Sequence, residues 1–494
     1  MRPGGLGWWG EQRERTSPVN VLLVTFDQLR ADMVGHPLVA TPAFDRLAAQ
    51  GVHFARHFSQ AAPCAPGRAA LYTGTYQMNN RVVANGTPLD RRFDNIAHLA
   101  ARAGFDPSLF GYTDQGIDPR DAENPNDPRL DYFTGILPGF TPTFWLPDDQ
   151  QPWLEWLSGL GYETGANGYE QLTTESDRPA EHSLSAFLTN HFLEWLTQQD
   201  ESWFAHVSYW RPHPPYCAAG EFSRMYDPAD VGDGISPGEQ LHPLHLAALE
   251  IPGSAAPSSE VERRALRAQY FGMVSEVDAQ FGRIIDALEE SGMWDETIVI
   301  MTADHGEQLG DHGLIEKLGF FEESYRVPCI IHSPRNSDAY GSVIERFTEN
   351  IDIFPTLAVL LDQEIPVQCD GMPLTQFLEG VEPITWRTAA HYEWDWRYLF
   401  LGDREPGWPL HRFLEHQNLA VLRDDAGAYV HFGDGSWIQF DLIADPTWRT
   451  TTTNSAEVLP YTQAMLSWRQ EHLERSMTDM LLTPERTGRW PVEH

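Results

Sequence analysis

The chain has 494 residues, with 71 acidic and 34 basic side chains and a formal net charge of −37. This length can bury a substantial core without division into many domains, and the negative charge argues against nucleic acid as a partner, because backbone binding depends on clustered Lys and Arg. No apolar run reaches the roughly 18 to 20 residues of a membrane span, and residues 1–17 lack the apolar stretch of a signal peptide, so we expect a cytoplasmic protein with no membrane partner.

The first predicted elements follow a Gly-rich, charged arm over residues 1–17. Residues 20–26 form a continuous apolar run, which is typical of a strand covered on both faces, and Asp27 and Gln28 follow it directly. Residues 41–51 combine an N-cap, a proline at the first helical position and a terminal glycine, and they predict the crossover helix.

The next feature is a C-x-P-x-R pattern that begins at Cys64 and runs into a short predicted helix ending at Gly74. By itself this pattern is also compatible with a buried thiol before a helix. The four cysteines, at 64, 217, 329 and 369, are too few and too widely separated for a disulfide scaffold. We therefore interpret the other three as buried or incidental thiols.

The middle of the chain contains an irregular segment, a long helix and a second buried strand. Residues 119–160 are rich in Pro, Asp and Trp without a sustained period, and they predict a long irregular insertion. Residues 258–291 have an apolar stripe at helical spacing. Residues 297–302 are a continuous apolar run that leads to Asp304 and His305.

The two polar pairs after these strands predict a metal site. In open α/β sheets, ligands collect beyond the carboxyl ends of the strands, so Asp27, Gln28, Asp304 and His305 are candidate ligands together with an oxygen at residue 64. Either pair alone is equally well explained as a polar strand end that caps the next helix. Together they favour one divalent metal, with Mn²⁺ or Ca²⁺ suiting the oxygen-rich set best and Zn²⁺ as an alternative.

The C-terminal region reads differently from the rest of the chain. Residues 351–361 predict a helix, and four strands separated by turn residues predict an antiparallel sheet at residues 389–401, 419–423, 429–432 and 436–442. The tail from residue 457 contains one amphipathic helix. We expect three parts: the arm at 1–17, a catalytic α/β domain at 18–385, and a subdomain with its tail at 386–494.

The motifs together resemble a known family. Asp27-Gln28 after the first strand, the C-x-P-x-R motif and the segment 304–317 look like the sulfatase branch of the alkaline phosphatase superfamily. Segments 85–89, 111–113 and 208–216 are more similar to phosphonate monoester hydrolases, which also act as phosphodiesterases. The resemblance implies an alkaline phosphatase-like α/β fold, in which a large mixed, mostly parallel sheet is sandwiched by helices, with a smaller C-terminal antiparallel α+β subdomain.

The resemblance also implies chemistry at Cys64. A formylglycine-generating enzyme would oxidise this cysteine to formylglycine, whose hydrate has two hydroxyl groups. One hydroxyl, held by the metal, attacks the ester, and the other later collapses the covalent hemiacetal and expels the bound group.

Further site residues are implied by the resemblance, each with a structural alternative. Arg68 would hold the diol and the anion, or else form a structural ion pair. His213 and Lys317 would lie near the leaving group and neutralise or protonate it, although a packed loop histidine is the alternative for His213. Asn85 and Tyr112 match positions that contact the nonbridging oxygens of the substrate.

Two positions need separate interpretation. His312 belongs to a second Asp-His-Gly, and we favour His305 as the ligand because it follows the strand. After Gly111-Tyr112-Thr113 the phosphonate hydrolases have a threonine, whereas this chain has Asp114. A carboxylate there either points away from the site or changes the charge state of the substrate that is accepted.

These observations predict a metal- and formylglycine-dependent hydrolase of phosphonate monoesters and phosphodiesters. The substrate is a small anionic ester. The alternative is a sulfatase for aryl or alkyl sulfates with the same apparatus, and a third possibility is an inactive anion-binding homologue whose Cys64 is never oxidised. Related hydrolases use C-terminal tails in homo-oligomer contacts, so we expect a homo-oligomer.

Overall fold

The computed structural model describes residues 19–130, 135–165, 167–239, 241–251, 253–335, 337–396, 416–452, 454–473, 481–482 and 488–489. The predicted arm at 1–17 and most of the tail after residue 473 lie outside these ranges. The helices are α1 (Pro42–Ala49), α2 (Cys64–Thr73), α3 (Gln77–Asn80), α4 (Ile96–Arg102), α5 (Gln151–Gly159), α6 (Gly168–Leu172), α7 (Leu184–Leu196), α8 (Pro243–Ala248), α9 (Glu260–Glu290), α10 (Ile353–Leu360), α11 (Thr375–Leu378) and α12 (Ser455–Glu471). The strands are β1 (Asn20–Asp27), β2 (Val52–Phe54), β3 (His57–Phe58), β4 (Ala61–Ala62), β5 (Ser108–Gly111), β6 (Thr141–Trp145), β7 (Phe204–Pro212), β8 (Thr297–Ala303), β9 (Cys329–His332), β10 (Ser342–Ile344), β11 (Thr348–Glu349), β12 (Ala389–Asp395), β13 (Asn418–Asp424), β14 (Gly427–Phe432), β15 (Trp437–Asp441), β16 (Thr451–Thr452), β17 (Leu481–Leu482) and β18 (Gly488–Arg489).

Within the described ranges, the larger sheet has eight strands in the order β10-β2-β9-β8-β1-β7-β5-β6. All neighbouring pairs are parallel except the two that involve β9, so the sheet is mixed and mostly parallel. The predicted strands at 20–26 and 297–302 are β1 and β8, and they are direct parallel neighbours at its centre. The expected fold class is confirmed.

Alternate residues of β1 enter two different cores, one on each face of the sheet. Leu22 and Val24 pack with α1, α7 and α9, whereas Val21 and Leu23 pack with α2, α4 and α10. A strand buried on both faces is apolar on both of them, which explains the continuous apolar run at residues 21–24.

The long helix predicted at 258–291 is α9, and its predicted stripe is buried apart from Leu266, which is half-buried. Thr41 is the N-cap residue of the crossover helix α1, as predicted, and Pro42 follows it. The Thr41 side chain makes no capping hydrogen bond; instead, the Asp278 carboxylate on α9 accepts the backbone N–H groups of Ala43 and Phe44 at 3.1 and 2.8 Å. The helix N-terminus is therefore satisfied by a tertiary contact that local spacing does not reveal.

The prediction that residues 119–160 are irregular is wrong in its second half. This stretch contains β6, which extends the sheet by pairing in parallel with β5, and α5, which buries Trp153, Leu154 and Leu157. Both elements are short, and the five residues of β6 include a proline at its second position. The proline made residues 141–145 look unlike a strand in the sequence. An edge strand tolerates proline, and β6 lies at the edge of the sheet.

The smaller sheet has the order β16-β15-β14-β13-β12-β4. It is antiparallel from β16 to β12, as predicted for the C-terminal region; residues 397–401 of the predicted first strand lie outside the described residues. Its last strand, β4, comes from the N-terminal part and pairs in parallel with β12. β4 ends at Ala62, and Pro63 and Cys64 follow it directly. The second sheet therefore contributes to the position of Cys64. None of the helices within the described ranges is long and apolar enough to cross a membrane.

Candidate active site

Four of the predicted metal ligands lie together at the carboxyl edge of the large sheet. Asp27 is the last residue of β1, Asp304 and His305 follow β8, and Cys64 is the first residue of α2. One potential ligand atom from each of these four side chains lies within 4.8 Å of the others, and all four residues are buried. The two strand ends meet because β1 and β8 are parallel neighbours.

The imidazole of His305 presents a lone pair to this cluster. Its Nδ1 atom lies 3.0 Å from the carbonyl oxygen of Gly306, so Nδ1 carries the proton and donates it there. Nε2 is then the acceptor, and it lies 3.2 Å from Cys64 Sγ and 3.7 Å from Asp27 Oδ1. This tautomer is the one in which Nε2 can bind a metal.

The electrostatics of the cluster indicate a deficit of positive charge. Burial and the neighbouring charge of Asp304 raise the pKa of Asp27. Burial acts in the same direction on Asp304, but His305 and Arg68 outweigh it and lower the pKa of that carboxyl. Burial and Asp27 also raise the pKa of the Cys64 thiol well above its usual range. Two buried carboxylates beside one guanidinium are a donor set that fits a divalent cation.

Gln28 differs from the other predicted ligands. Its backbone has a left-handed φ of 69°, which is uncommon for a non-glycine residue. The conformation is held by its N–H, which donates to Asp304 Oδ1 at 3.1 Å, and by its carbonyl, which accepts from Tyr270 at 2.7 Å. Its side-chain oxygen accepts from Lys317 Nζ at 2.8 Å. The Gln28 backbone thus contacts the predicted ligand Asp304, whereas its side-chain amide contacts the predicted leaving-group residue Lys317. Its own role as a metal ligand stays a prediction.

Arg68 is fully buried one helical turn beyond Cys64. Its guanidinium donates to Asp304 Oδ2 at 2.8 Å and to Asp27 Oδ2 at 3.4 Å, and it also donates to Ser208 Oγ at 2.7 Å. The structural ion pair that was the alternative for this residue is therefore present. A contact of Arg68 with the diol stays a prediction.

The predicted substrate contacts Tyr112 and Asn85 lie against the same elements. The hydroxyl of Tyr112 donates to Asp27 and accepts from Arg68 at 3.1 Å. The Asn85 side-chain oxygen accepts the backbone N–H of Ala65 at 2.9 Å, next to Cys64. Both side chains therefore border the cluster, and their contact with substrate oxygens stays a prediction.

His213 and Lys317 form a close pair, with Lys317 Nζ 2.8 Å from His213 Nε2. His213 Nδ1 donates to the carbonyl of Pro214 at 2.8 Å, so Nε2 is the acceptor. Burial and the charge of Lys317 lower the pKa of His213 to about 3. Burial alone would lower the pKa of Lys317, but acidic groups led by Cys64 and Glu316 raise it above its usual range. The pair therefore carries one positive charge, and Lys317 holds it.

Asp114 is buried, with 2 % of its surface exposed, so its side chain does not point into solvent. Its backbone is left-handed with φ of 58°, and no residue in the described part of the chain donates a hydrogen bond to its Oδ1 atom. Burial raises its pKa to about 8, because the attraction of Arg68 does not compensate for the lost hydration. On either side of it, Tyr112 and Gln115 contact Asp27 and the Ala65 carbonyl. Asp114 thus lies on a loop that borders the cluster, and a contact of its carboxylate with substrate stays a prediction.

Sequence reasoning assigned no role to Glu307, which proves central to the arrangement. This buried carboxylate accepts hydrogen bonds from Gln28 and from the Tyr216 hydroxyl. It directly follows the Asp-His-Gly segment, which was the available signal. His312, the competing histidine, lies outside the cluster and stacks on Phe321 with 3.6 Å between ring centroids.

The family model described as Sulfatase matches residues 19–363. The chain is 35 % identical over 506 aligned positions to PehA, a multifunctional alkaline phosphatase superfamily protein of Trinickia caryophylli, covering 94 % of this chain and 98 % of that protein. The chain therefore belongs to the sulfatase family, within the alkaline phosphatase superfamily, and it is an ester hydrolase.

Two solved structures are similar over nearly the whole chain. The phosphonate monoester hydrolase of Agrobacterium radiobacter has a TM-score of 0.88 and 40 % identity, with 96 % of this chain and all of that chain covered. Phosphonate monoester hydrolase SpPMH from Silicibacter pomeroyi has a TM-score of 0.84 and 32 % identity, with 96 % and 99 % covered. The predicted family is confirmed.

Proposed function

We propose that this chain hydrolyses phosphonate monoesters and phosphodiesters, with one divalent metal and with formylglycine at position 64. The observation that carries the proposal is the position of Cys64 at the start of α2, where Asp27, Asp304 and His305 converge on it within 4.8 Å. The similarity to two phosphonate monoester hydrolases supports the substrate class.

The metal would be held by Asp27, Asp304 and His305, together with the Gln28 amide oxygen and an oxygen of the modified residue 64. The oxygen-rich donor set favours Mn²⁺ or Ca²⁺. When bound, the metal supplies Lewis acidity, and the hydrated aldehyde supplies an oxygen nucleophile. Arg68 contributes a fixed positive charge, since its guanidinium is already held by Asp27 and Asp304.

The protein side chains would act mainly on the departing group. Lys317 is the charged member of the pair with His213, so it can stabilise the negative charge that develops on the leaving oxygen and donate a proton to it. His213 Nε2 accepts a hydrogen bond from Lys317 at 2.8 Å, which orients the ammonium group toward the leaving oxygen. Protonation matters most for leaving groups of high pKa.

Burial raises the pKa of Asp114 to about 8, so once pH exceeds that value its buried carboxylate favours substrates with a single negative charge. Phosphonate monoesters and phosphodiesters carry one negative charge, whereas phosphate monoesters carry two above pH 7. A negative group in the wall of the site repels a dianion about twice as strongly as a monoanion at the same position. A sulfatase for aryl or alkyl sulfates is the second candidate, favoured by the Sulfatase family model, since sulfate monoesters also carry one charge.

A rate comparison tests the substrate class. Enzyme fully converted at position 64, as measured by peptide mass spectrometry, is assayed on an aryl phosphonate monoester, diester, phosphate monoester and sulfate with the same leaving group. We expect the highest kcat/KM on the phosphonate monoester and the diester. Higher kcat/KM on the sulfate would establish the second candidate, and highest kcat/KM on the phosphate monoester would contradict both.

A further inference from the structure

The Glu307 carboxylate connects three parts of the site. Its Oε1 atom accepts the backbone N–H groups of Leu309 and Glu316, each at 2.7 Å. Its Oε2 atom accepts from the Gln28 side chain and from the Tyr216 hydroxyl, the latter at 2.9 Å. The side chain is fully buried, so these four protein donors satisfy its two oxygen atoms.

These contacts fix which way the Gln28 amide points. Its Nε2 atom faces carboxylate oxygens of Glu307 and of Glu316, the latter at 3.3 Å, and its Oε1 atom faces the ammonium of Lys317. A carboxylate can only accept and an ammonium can only donate. A flipped amide would place its NH₂ group against the Lys317 ammonium and its oxygen against the carboxylates, so the oxygen is directed at Lys317.

The same carboxylate joins the two loops of the leaving-group pair. Tyr216 lies three residues after His213, and Glu316 immediately precedes Lys317. One side chain of Glu307 therefore holds one residue from each loop, while Lys317 and His213 meet at 2.8 Å. The loops have no strand pairing with each other among the described residues, so side-chain hydrogen bonds set their separation.

We propose that Glu307 is a positioning residue that orients the Gln28 amide and holds the loops of His213 and Lys317 together, so that ammonium and imidazole meet the leaving group. This inference rests on the proposed role of that pair. It assigns Glu307 no contact with substrate, and its effect passes through Gln28, Lys317 and His213. Its loss should therefore affect poor leaving groups most, and it should weaken metal binding through Gln28.

The substitution Glu307→Gln tests this role at constant size. The glutamine side chain replaces one carboxylate oxygen by an NH₂ group. This group must face either the backbone N–H groups of Leu309 and Glu316 or the NH₂ group of Gln28. All of these are donors that cannot accept a hydrogen bond, so at least one contact is lost. We expect kcat to fall about tenfold on a 4-nitrophenyl ester and about 100-fold on the phenyl ester of the same class. We also expect metal affinity, titrated calorimetrically on metal-free protein, to fall about tenfold.

Tyr216→Phe provides a second test should Glu307→Gln fail to fold. It removes one donor to Glu307, and we expect a loss of about threefold that is larger on the phenyl ester. Two controls remove similar buried groups elsewhere: Glu276→Gln, which loses a carboxylate bonded to Ser183 and Ser185, and Tyr76→Phe, which loses a hydroxyl bonded to the buried Glu349 carboxylate. Both should keep the wild-type ratio of the two rates.

Both esters belong to the substrate class that the wild-type enzyme hydrolyses fastest. The outcome of this test therefore does not depend on which class that is, and it can fail or succeed separately from the proposed function. Equal losses on the two esters in the folded variants, with metal affinity unchanged, would overturn the positioning role and leave Glu307 as a structural carboxylate. A larger loss on the phenyl ester together with weaker metal binding would establish it.

Discussion

The two halves of the candidate site are built in different ways. In the half formed by Asp27, Asp304 and His305, the residues sit at the ends of two paired strands, and the register of the sheet sets their separation. In the half formed by His213 and Lys317, the residues lie on loops and are linked through side-chain hydrogen bonds. The first half is therefore fixed by the core, whereas the second depends on individual polar contacts.

This difference has a functional consequence. A substitution in the first half removes a ligand or nucleophile from a scaffold that stays in place, so its effect should be large and the same for all leaving groups. A substitution in the second half should alter how the rate depends on the leaving group while metal remains bound. The expected effects therefore differ in kind as well as in size.

The largest effect is expected for Cys64→Ala. Loss of the precursor of formylglycine removes the covalent route and should lower kcat by on the order of 10⁴ or more. Peptide mass spectrometry on the wild type should find formylglycine at position 64 when the host contains the modifying enzyme. Cys217→Ala, which changes a half-buried cysteine outside the metal cluster, should retain activity. Active wild-type protein with an unmodified thiol at position 64 would contradict the mechanism.

A loss on the order of 10³ in kcat is expected for Asp27→Asn, Asp304→Asn and His305→Ala, because each removes a predicted metal ligand. Metal content, measured by atomic emission, should fall together with activity. Asp278→Asn is the matched control, since this buried carboxylate caps α1 away from the cluster; it should lower stability but leave metal content intact. A ligand variant that keeps both metal and activity would remove that residue from the site.

His213→Ala should keep its metal and lower kcat by about 10- to 100-fold, with the loss rising as the leaving group becomes more basic. A loss of kcat that depends on the pKa of the leaving group would distinguish the loop half of the site from the strand half. A series of aryl esters of graded phenol pKa provides the measurement. The same loss on every ester, or a loss of metal, would place His213 outside its proposed role.

The smallest effect is expected for Asp114→Thr, which removes a buried charge while leaving the ligands intact. The variant should gain about tenfold more in kcat/KM on a phosphate monoester than on a diester. Because burial raises the pKa of Asp114 to about 8, the carboxyl becomes charged as pH rises, so wild-type discrimination against the monoester should grow between about pH 7 and pH 9. Asp118→Thr, where the carboxylate is paired with Arg120, should leave selectivity unchanged. Unaltered selectivity in Asp114→Thr would exclude this account of substrate choice.

The sequence predicted secondary structure and site residues best where a local pattern has a single physical explanation. The continuous apolar runs of β1 and β8 predicted buried strands, and the polar residues after them predicted a site at the carboxyl edge of the sheet. The stripe of α9 and the antiparallel C-terminal strands were equally visible. The segment 119–160 was misjudged because β6 and α5 are short, and short elements owe their form to the sheet and core on which they pack.

The sequence by itself determined the family, the α/β class and the residues that gather around Cys64, because apolar periodicity and motif spacing are local properties of the chain. The tertiary structure alone decided that Asp278 caps α1, that Asp114 is buried, and that β4 joins the second sheet beside Cys64. It also revealed Glu307 as the acceptor for groups from Gln28, Tyr216 and Glu316. These contacts join residues up to 332 positions apart in β4 and β12, and each depends on distances and burial that exist only after the chain has folded.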